Sequence, residues 1–399
     1  MSLLFTQKLH GIKIHHARMP FFHSLITNMS LTQRIAITAM VCSSPIANAT
    51  GLNFWESSTS NSALASANGA SAVDASILAT APSSMTQLKT TTVTASVTRY
   101  QVDTDYDILG TQSSYSKANP IPAGFMVMPI DSNWFVGLAA YSRTAADISI
   151  SEFRLPPPLN IRILEQARVR PIVVSFAPSV AYKMGDVSIG LTLEYQYADY
   201  LLEVDKCKFL GGCNTETTTG NTDGWTGAIS ATWQANSWLT LAATHRLDSQ
   251  FGDSNIQFAL PSITSVYGTI ALTDNWSWHN TFSLSRWDGQ GVTYTDYDDP
   301  IQLLKGSRHS KRYATSMEYR IGQLALRGGV SMDEAIDSFG GEDVRYRLGA
   351  AYTVNEHLTL DLSGFSENYA RKNVRLNESY QVDVQNKGYG VSFGLTYRY

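Results

Sequence analysis

Hydrophobic and polar residues alternate along most of this chain, and the final stretch "KGYGVSFGLTYRY", residues 387–399, shows the pattern most clearly. From residue 388 onward, tyrosine, valine, phenylalanine and leucine occupy the odd-numbered positions. Glycine, serine, threonine and arginine occupy the even-numbered positions. Because successive side chains of a strand point to opposite faces, a period of two predicts a β-strand. Such a strand belongs either to a soluble sheet packed on a core or to a membrane barrel with lipid outside.

From residue 91 onward the alternation recurs and predicts fourteen strands. An even number of antiparallel strands is typical of bacterial outer-membrane barrels. We therefore expect an all-β fold, a fourteen-stranded antiparallel transmembrane β-barrel that occupies residues 90–399. The predicted strands are 91–104, 115–130, 133–145, 168–183, 186–200, 224–235, 237–249, 262–273, 275–288, 309–321, 323–333, 343–354, 357–370 and 387–399.

The connections between these strands alternate in length. The turns "DSN", "MGD", "ANS", "TDN", "IGQ" and "NEH" are short, whereas the links 146–167, 201–223, 289–308 and 371–386 are long. Outer-membrane barrels have short periplasmic turns and long extracellular loops, whereas a soluble meander has no reason to sort its loops. Several tryptophans also lie near predicted strand ends, as in the aromatic girdles of membrane barrels. The pattern predicts the Gram-negative outer membrane.

Composition fits that interpretation and gives little sign of other functions. The chain has 399 residues, of which 16% are charged and 11% aromatic, and its net charge of −4 gives no hint of a nucleic-acid partner. Beyond the first fifty residues no run of about 20 apolar residues predicts a membrane helix. The histidines His245, His279, His309 and His357 are scattered and accompany no nucleophile motif. We expect neither an enzyme nor a bound cofactor or metal.

The two chain ends carry signals for export and assembly. Residues 29–49 combine a basic residue, an apolar stretch and Ala47-Asn48-Ala49, which predicts a secretory signal peptide followed by a mature chain from Thr50. Residues 1–28 resemble no signal and are interpreted as an extension from a start codon placed too early. The final Tyr399 suits the last strand of a barrel that outer-membrane insertion machinery recognises. That machinery is therefore an expected partner.

Residues 50–89 differ from the rest, because they are rich in Ala, Ser and Asn and do not alternate. Composition alone would allow a disordered linker, but large apolar residues scattered through the segment favour a segment that docks on the rest of the protein. In "DKCKFLGGCN", Cys207 and Cys213 lie close enough for a local disulfide in an oxidising compartment. A metal site would need further ligands, and no histidine lies nearby.

Four stretches resemble a known family in the order in which they occur along the chain. They are "GASAVDASILATAPSSMTQL", "PAGFMVMPIDSNWFVGLAAYS", "LPSITSVYGTIALTDNWSWHNTFSLSRWDG" and "VRYRLGAAYTVNEHLTLDLSGFSENY". Together they are similar to the long-chain fatty-acid and hydrophobic-compound transporters of the FadL/TodX type. The first stretch resembles the hatch of that family, with Asp74, Pro82 and Met85 in matching places, which implies that residues 50–89 form a hatch inside the barrel.

The resemblance implies passive uptake of long-chain fatty acids or other hydrophobic compounds. A ligand would be captured by extracellular loops, held near the hatch, and released laterally through the wall beside a kinked third strand. That strand, "LAAYSRTAA", lacks the Pro-Phe-Gly motif often found there. No nucleotide-binding motif suggests an energy source. A porin-like channel for small polar solutes is the rival hypothesis.

Several residues are expected to contact ligand, each with a structural alternative. Hatch residues would either touch ligand or attach the hatch to the wall, and an apolar outer loop would either capture ligand or pack on itself. Arginines that point inward would either bind a ligand carboxylate or pair with Glu318, Asp361, Glu56 or Asp74. The predicted ligand-binding residues are Leu52, Phe54 and Trp55 in the hatch, Leu155, Leu159 and Ile161 in the loop, and Arg246, Arg320, Arg327, Arg345 and Arg347 in the wall.

Two charged stretches suggest contacts at the outer surface. The basic stretch "KGSRHSKR", residues 305–312, would meet lipopolysaccharide phosphate or simply face water. The acidic stretch "DYDDP", residues 296–300, has oxygen ligands but no calcium-loop spacing, which favours an ordinary acidic loop. The expected partners are therefore a hydrophobic ligand, lipopolysaccharide and membrane lipid, and the protein is expected to be a monomer.

Overall fold

A computed structural model describes residues 53–108, 111–145, 148–150, 153–154, 162–207, 213–295, 301–336, 340–377 and 380–399. Fourteen strands form a closed antiparallel barrel in which each main strand pairs with its neighbour and the last strand pairs with the first. The barrel strands are β1 Thr92–Ile108, β2 Thr111–Pro129, β3 Trp134–Ala145, β6 Arg162–Met184, β7 Val187–Cys207, β8 Cys213–Gln234, β9 Leu239–Arg246, β12 Ile263–Thr273, β13 Trp276–Ser285, β16 Ser310–Ile321, β17 Leu324–Glu334, β18 Glu342–Thr353, β19 Leu358–Asn368 and β21 Tyr380–Arg398.

The shorter strands extend the barrel wall or form a separate sheet above it. The wall extensions are β4 Ile148–Ile150, β5 Phe153–Arg154 and β20 Lys372–Asn377. The separate antiparallel sheet contains β10 Ser249–Gly252, β11 Ile256–Leu260, β14 Gly291–Tyr294 and β15 Ile301–Lys305. Within this sheet Phe251 stacks on Phe258, with ring centroids 5.3 Å apart, and Ile256, Leu260 and Val292 are buried.

The fourteen predicted strands and the six short turns between them are confirmed, but several predicted strand ends are wrong. The link predicted over 201–223 is largely strand, because β7 and β8 remain paired as far as Cys207 and Cys213. The predicted link between the first two strands likewise continues as a ladder to Ile108 and Thr111. Beyond the membrane neither face of a hairpin needs to be apolar, so alternation fades although the backbone ladder continues.

The two faces of the wall differ as the alternation predicts. In β21, Val391 and Phe393 are exposed on the outer face, whereas Ser392 and Thr396 are buried in the lumen. Large apolar residues on the outside of a barrel are stable only in lipid. Four exposed tryptophans lie at or beside the ends of strands that meet at the short turns, as expected of a girdle at one membrane interface: Trp134, Trp233, Trp238 and Trp276.

The described part of the predicted hatch, residues 53–89, lies inside the barrel and contains three short helical segments. These are the α-helix α1 Thr59–Ala63 and the 3-10 helices η1 Ala75–Ala79 and η2 Pro82–Gln87. Ser58 caps α1 by accepting a hydrogen bond from the Asn61 N–H, and serine is a favoured residue at this position. Within the described part of the chain, no helix combines the length and the apolar character needed to cross a bilayer.

Small and hydroxylated residues of the inner wall hold the hatch closely. Ser83 donates its N–H to Ser230 Oγ at 2.8 Å, and its hydroxyl lies 2.7 Å from Thr232 Oγ1. A Cβ added at Gly190 would come within 2.5 Å of the Ser83 backbone nitrogen. The small inward-facing residues therefore provide the room that the hatch occupies, and glycine at 190 is required by this close approach.

Candidate functional site: the hatch cavity and the β2–β3 seam

A small cavity separates the start of the hatch from the barrel wall. Its volume is about 40 Å³, which is room for a few water molecules rather than for a long ligand. Hatch residues Phe54, Trp55 and Thr80 form one side, and β3, β9 and β12 form the other. Any larger ligand would require the hatch to move.

The two predicted hatch anchors that lie in the described chain both line this cavity. Phe54 is half-buried against Tyr100, with ring centroids 5.8 Å apart. Trp55 lies beneath the guanidinium of Arg312, whose Cζ is 4.6 Å from the ring centroid, so a cation–π contact fixes the indole. These residues therefore both attach the hatch and face the space where a ligand would enter.

A charged cluster at the cavity wall joins the predicted Arg246 to Glu194 and Arg143, neither of which was predicted from the sequence. The Nε of Arg246 lies 2.8 Å from Glu194 Oε1, and an Arg143 guanidinium nitrogen lies 3.4 Å from the other carboxylate oxygen. Arg246 also donates to the Tyr141 hydroxyl at 2.8 Å and to the Ala79 carbonyl of the hatch at 3.4 Å. Two arginines share one carboxylate, so this side of the cavity carries one excess positive charge.

Among the described residues, two buried polar atoms that line the cavity have no hydrogen-bond partner. They are the Trp55 indole N–H and the Thr244 hydroxyl, both shielded from solvent. A buried donor without a partner costs about 1–3 kcal/mol. The cavity therefore offers unsatisfied donors as well as excess positive charge to a molecule that carries an oxygen.

The inner wall next to η1 and η2 is apolar, unlike the inner face of most of the barrel. Phe125 and Tyr141 stack with ring centroids 6.0 Å apart, and both belong to one buried cluster with the hatch residue Leu78. The other members of that cluster are Ala75, Ile77, Met85, Leu88, Val127, Phe135, Ala139, Ala177 and Ala181. This region gives an apolar path between the hatch and strands β2, β3 and β6.

The hydrogen-bonded wall is interrupted beside this cluster. The β2–β3 ladder runs from the pair Pro129 and Phe135 to the pair Gly124 and Ala140, and there it ends, although β2 continues to pair with β1 as far as Thr111. Pro120 and Pro122 lie on this part of β2, beyond the last β2–β3 pair. Proline has no N–H to donate to a neighbouring strand. We call this interruption the β2–β3 seam.

Strand β3 is irregular just above the seam. Its register with β6 shifts between Ser142 and Thr144, so Arg143 is a bulge residue whose side chain is buried in the lumen. The Arg143 carbonyl accepts the Phe54 N–H of the hatch at 2.9 Å. A bulge bends a strand and redirects a side chain. The start of the hatch is thus tied to the irregular part of β3, although this strand lacks the Pro-Phe-Gly motif.

The four other predicted arginines lie in two ion-pair clusters away from the cavity. Near the short-turn end, guanidinium nitrogens of Arg327 lie 2.7 Å from a Glu318 carboxylate oxygen and 2.5 Å from an Asp361 oxygen. An Arg320 nitrogen lies 2.7 Å from the other Glu318 oxygen. These partners were anticipated from the sequence.

The second ion-pair cluster holds the hatch. Arg347 bonds Glu56, and the Arg345 Nε lies 3.1 Å from Glu367. Arg312 donates to the Ala65 carbonyl at 2.7 Å. Arg312, Glu367 and their contacts were not predicted, because pairs between distant strands leave no local signal in the sequence.

The predicted hatch residues have structural roles. Asp74 caps η1 by accepting a hydrogen bond from the Ser76 N–H at 2.8 Å, Pro82 begins η2, and Met85 is buried in the apolar cluster. Leu52, Leu155, Leu159, Ile161 and the acidic stretch 296–300 lie outside the described residues.

The cysteines meet at the tip of the β7–β8 hairpin. Cys213 is disulfide-bonded and stands opposite Cys207 in the ladder. This register supports the predicted pairing of Cys207 with Cys213. Among the described residues, no group of histidines, cysteines and carboxylates is arranged to hold a metal ion.

A closed fourteen-strand barrel with a lipid-compatible outside and a filled lumen defines a Gram-negative outer-membrane protein of the transport class. Residues 40–251, just over half of the chain, match the family described as "Outer membrane protein transport protein (OMPP1/FadL/TodX)". The chain belongs to this family. No curated protein matches it in sequence.

Solved structures share the fold at low sequence identity. A Pseudomonas aeruginosa FadL homologue is 14% identical, with a TM-score of 0.69 over 86% of this chain and 98% of its own. The P. putida toluene transporter TodX is 12% identical, with a TM-score of 0.65 over 82% of this chain and 95% of its own. The Ralstonia pickettii toluene transporter TbuX is 12% identical, with a TM-score of 0.61 over 82% of this chain and 94% of its own.

Proposed function

We propose that this protein carries hydrophobic compounds passively across the outer membrane and releases them sideways into the bilayer through the β2–β3 seam. The observation that carries the proposal is the position of the seam. It lies beside the apolar cluster that joins the hatch to β2 and β3. Transfer from an apolar interior to lipid avoids water, and each buried methylene is worth about 0.8 kcal/mol.

The cavity of about 40 Å³ is too small for such a ligand, so transport requires displacement of the hatch. We infer that η1 and η2 shift along the apolar wall beside the seam, while the bond from Phe54 to Arg143 ties the start of the hatch to β3. Long-chain fatty acids and monoaromatic hydrocarbons are the two ligand classes to test. The toluene transporters of similar fold make the second class worth including.

Substitutions at the seam test lateral release. Ala123 is half-buried beside the apolar cluster at the point where the β2–β3 ladder has ended. Ala123→Asp would place a charge in the apolar path, and we expect at least a tenfold fall in uptake of a dye-labelled fatty acid by cells. Ala325→Asp is the matched control, since Ala325 is also half-buried and faces the lumen but lies on β17 near the short turns, and it should retain most uptake.

The porin alternative predicts different behaviour. In liposomes the intact protein should conduct few ions and release little sugar, whereas a variant without residues 50–89 should conduct freely. Sugar release by the intact protein at the rate of the deleted variant would support a polar channel. Equal fatty-acid uptake by Ala123→Asp and the parent protein would contradict release at the seam.

A further inference from the structure

An apolar groove lies on the lipid-facing surface, on strands β12, β13, β16 and β17. Its volume is about 530 Å³. The wall recedes at Gly268, which has no side chain, and larger residues rise on either side. Among the residues around it are Val266, Phe282, Tyr313, Val330 and Met332. Val266, Phe282 and Tyr313 are exposed in the protein, so the bilayer itself must cover them.

Hydrogen bonds between neighbouring strands fix the floor of this groove. The Trp278 indole N–H donates to Thr315 Oγ1 at 2.7 Å, and the Thr315 hydroxyl donates to Asn280 Oδ1 at 3.0 Å. Polar groups that face hydrocarbon are expensive, and partners of this kind reduce that cost. The groove therefore has a defined shape and is not a loosely packed stretch of wall.

The groove reaches toward the outer leaflet. Strand β13, Trp276–Ser285, begins at a short turn, and strands of about 9–11 residues cross a bilayer. Phe282, and Tyr313 opposite it, therefore lie in the half of the membrane away from the short turns. Arg286 follows the strand directly and reaches the outer membrane–water interface.

Cations border that outer end. Lys311 precedes Tyr313 by two residues, and Arg286 follows Phe282 by four, so both share the groove's face. Lys311 is half exposed and Arg286 is exposed. Glu334 opposes Lys311, but their charged atoms are 3.7 Å apart and both side chains reach solvent, so this pair is weak. Taken together, Lys311, Arg286 and Glu334 leave one positive charge in excess.

We propose that this groove binds an acyl chain of a phosphorylated glycolipid of the outer leaflet, with its phosphate held by Lys311 and Arg286. Apolar surface beneath a cationic rim matches a molecule with hydrocarbon chains below an anionic head group. Lys311 is the residue of the basic stretch 305–312 that this arrangement uses. Arg312 points inward to the hatch, and Arg308 donates to the Ala335 carbonyl at 2.7 Å.

Native mass spectrometry of the full chain, extracted from a Gram-negative host in mild detergent, tests this site. We expect a bound phosphorylated glycolipid on the parent protein, about tenfold less on Gly268→Leu and at least threefold less on Lys311→Gln. Gly364→Leu is a matched control, because Gly364 also faces outward and a Cβ there meets only one backbone oxygen, at 3.7 Å. Arg371→Gln is the control for Lys311→Gln, because Arg371 is also exposed and its guanidinium lies 3.2 Å from the Asp383 carboxylate.

A second experiment distinguishes binding of the phosphorylated glycolipid from binding of free phosphate or of other lipids. Delipidated protein in vesicles should prefer phosphorylated lipid A over its dephosphorylated form and over phosphatidylethanolamine, and inorganic phosphate should not displace the lipid. Equal binding of all three lipids, displacement by phosphate alone, or equal loss in the control variants would overturn the proposal. Lys311→Gln should leave fatty-acid uptake unchanged, which keeps this test independent of the transport proposal.

Discussion

Two of the regions where the hatch meets the barrel wall make different kinds of contact. On one side, η1 and η2 pack through Leu78, Met85 and their neighbours against apolar residues of β2, β3 and β6. On the other side, Glu56 and the Ala65 carbonyl are held by arginines of β16 and β18. Apolar contacts are non-directional, whereas buried ion pairs need one geometry. We infer that the charged side is the firmer anchor of the hatch and that η1 and η2, next to the seam, move first.

The largest effect is expected at the charged side. Glu56→Gln keeps the shape but removes the anion between Arg345 and Arg347, and breaking a buried pair costs about 3–5 kcal/mol. Burial alone would raise the pKa of Glu56, but the two arginines outweigh it and lower the pKa, so the parent carboxylate is charged at neutral pH. We expect Glu56→Gln to release the hatch and raise single-channel conductance.

Planar-bilayer recording measures this effect, and Glu342→Gln is the control because Glu342 is exposed. If conductance and protease resistance of the hatch were unchanged in Glu56→Gln, the charged side would not be its anchor.

A smaller effect is expected at the apolar side. A Cβ at Gly137 would lie 2.6 Å from Leu78 Cδ2, so Gly137→Ala should displace η1. Leu78→Ala should weaken hatch docking by about 2–3 kcal/mol through the space it leaves. In the double variant the added methyl enters that space, so the two losses should not add. Protease sensitivity of the hatch in the parent, the two single variants and the double variant measures how far the two losses depend on each other. Strictly additive losses would show that Gly137 and Leu78 are not in contact.

The smallest effect is expected far from the hatch, at the β2–β3 turn. The backbone N–H groups of Trp134 and Asn133 donate to Asp131 and lower its pKa from the ordinary value of 3.8. A lowered folded-state pKa stabilises the fold above pH 3.8, and that contribution disappears as pH falls through the folded value. Asp131→Asn should therefore lower Tm slightly at pH 7 and not at pH 2. An equal difference at both values would exclude this cause.

The alternation of residues predicted the barrel, its fourteen strands and the six short turns because each strand crosses lipid and must present one apolar face. The same rule could not locate strand ends such as Cys207 and Cys213, which lie where water meets both faces. The signal disappears there while the backbone ladder continues.

The candidate site could be predicted only in part. The alternation of residues placed Arg246 on the lumen side of its strand, and the apolar residues of the hatch pointed to Phe54 and Trp55. All three line the cavity. Glu194 and Arg143 were missed, the second because a bulge places it. Their partnership joins β7, β9 and β3, which are distant in sequence.

The sequence by itself determined the class of fold, the inward and outward faces, and the separation of hatch from wall, because these depend on local patterns set by lipid and water. Only the tertiary structure decided which wall residues hold the hatch, where the β2–β3 ladder ends and where a groove opens toward lipid. Those features arise from barrel closure, which brings distant residues into contact at distances that no local pattern encodes.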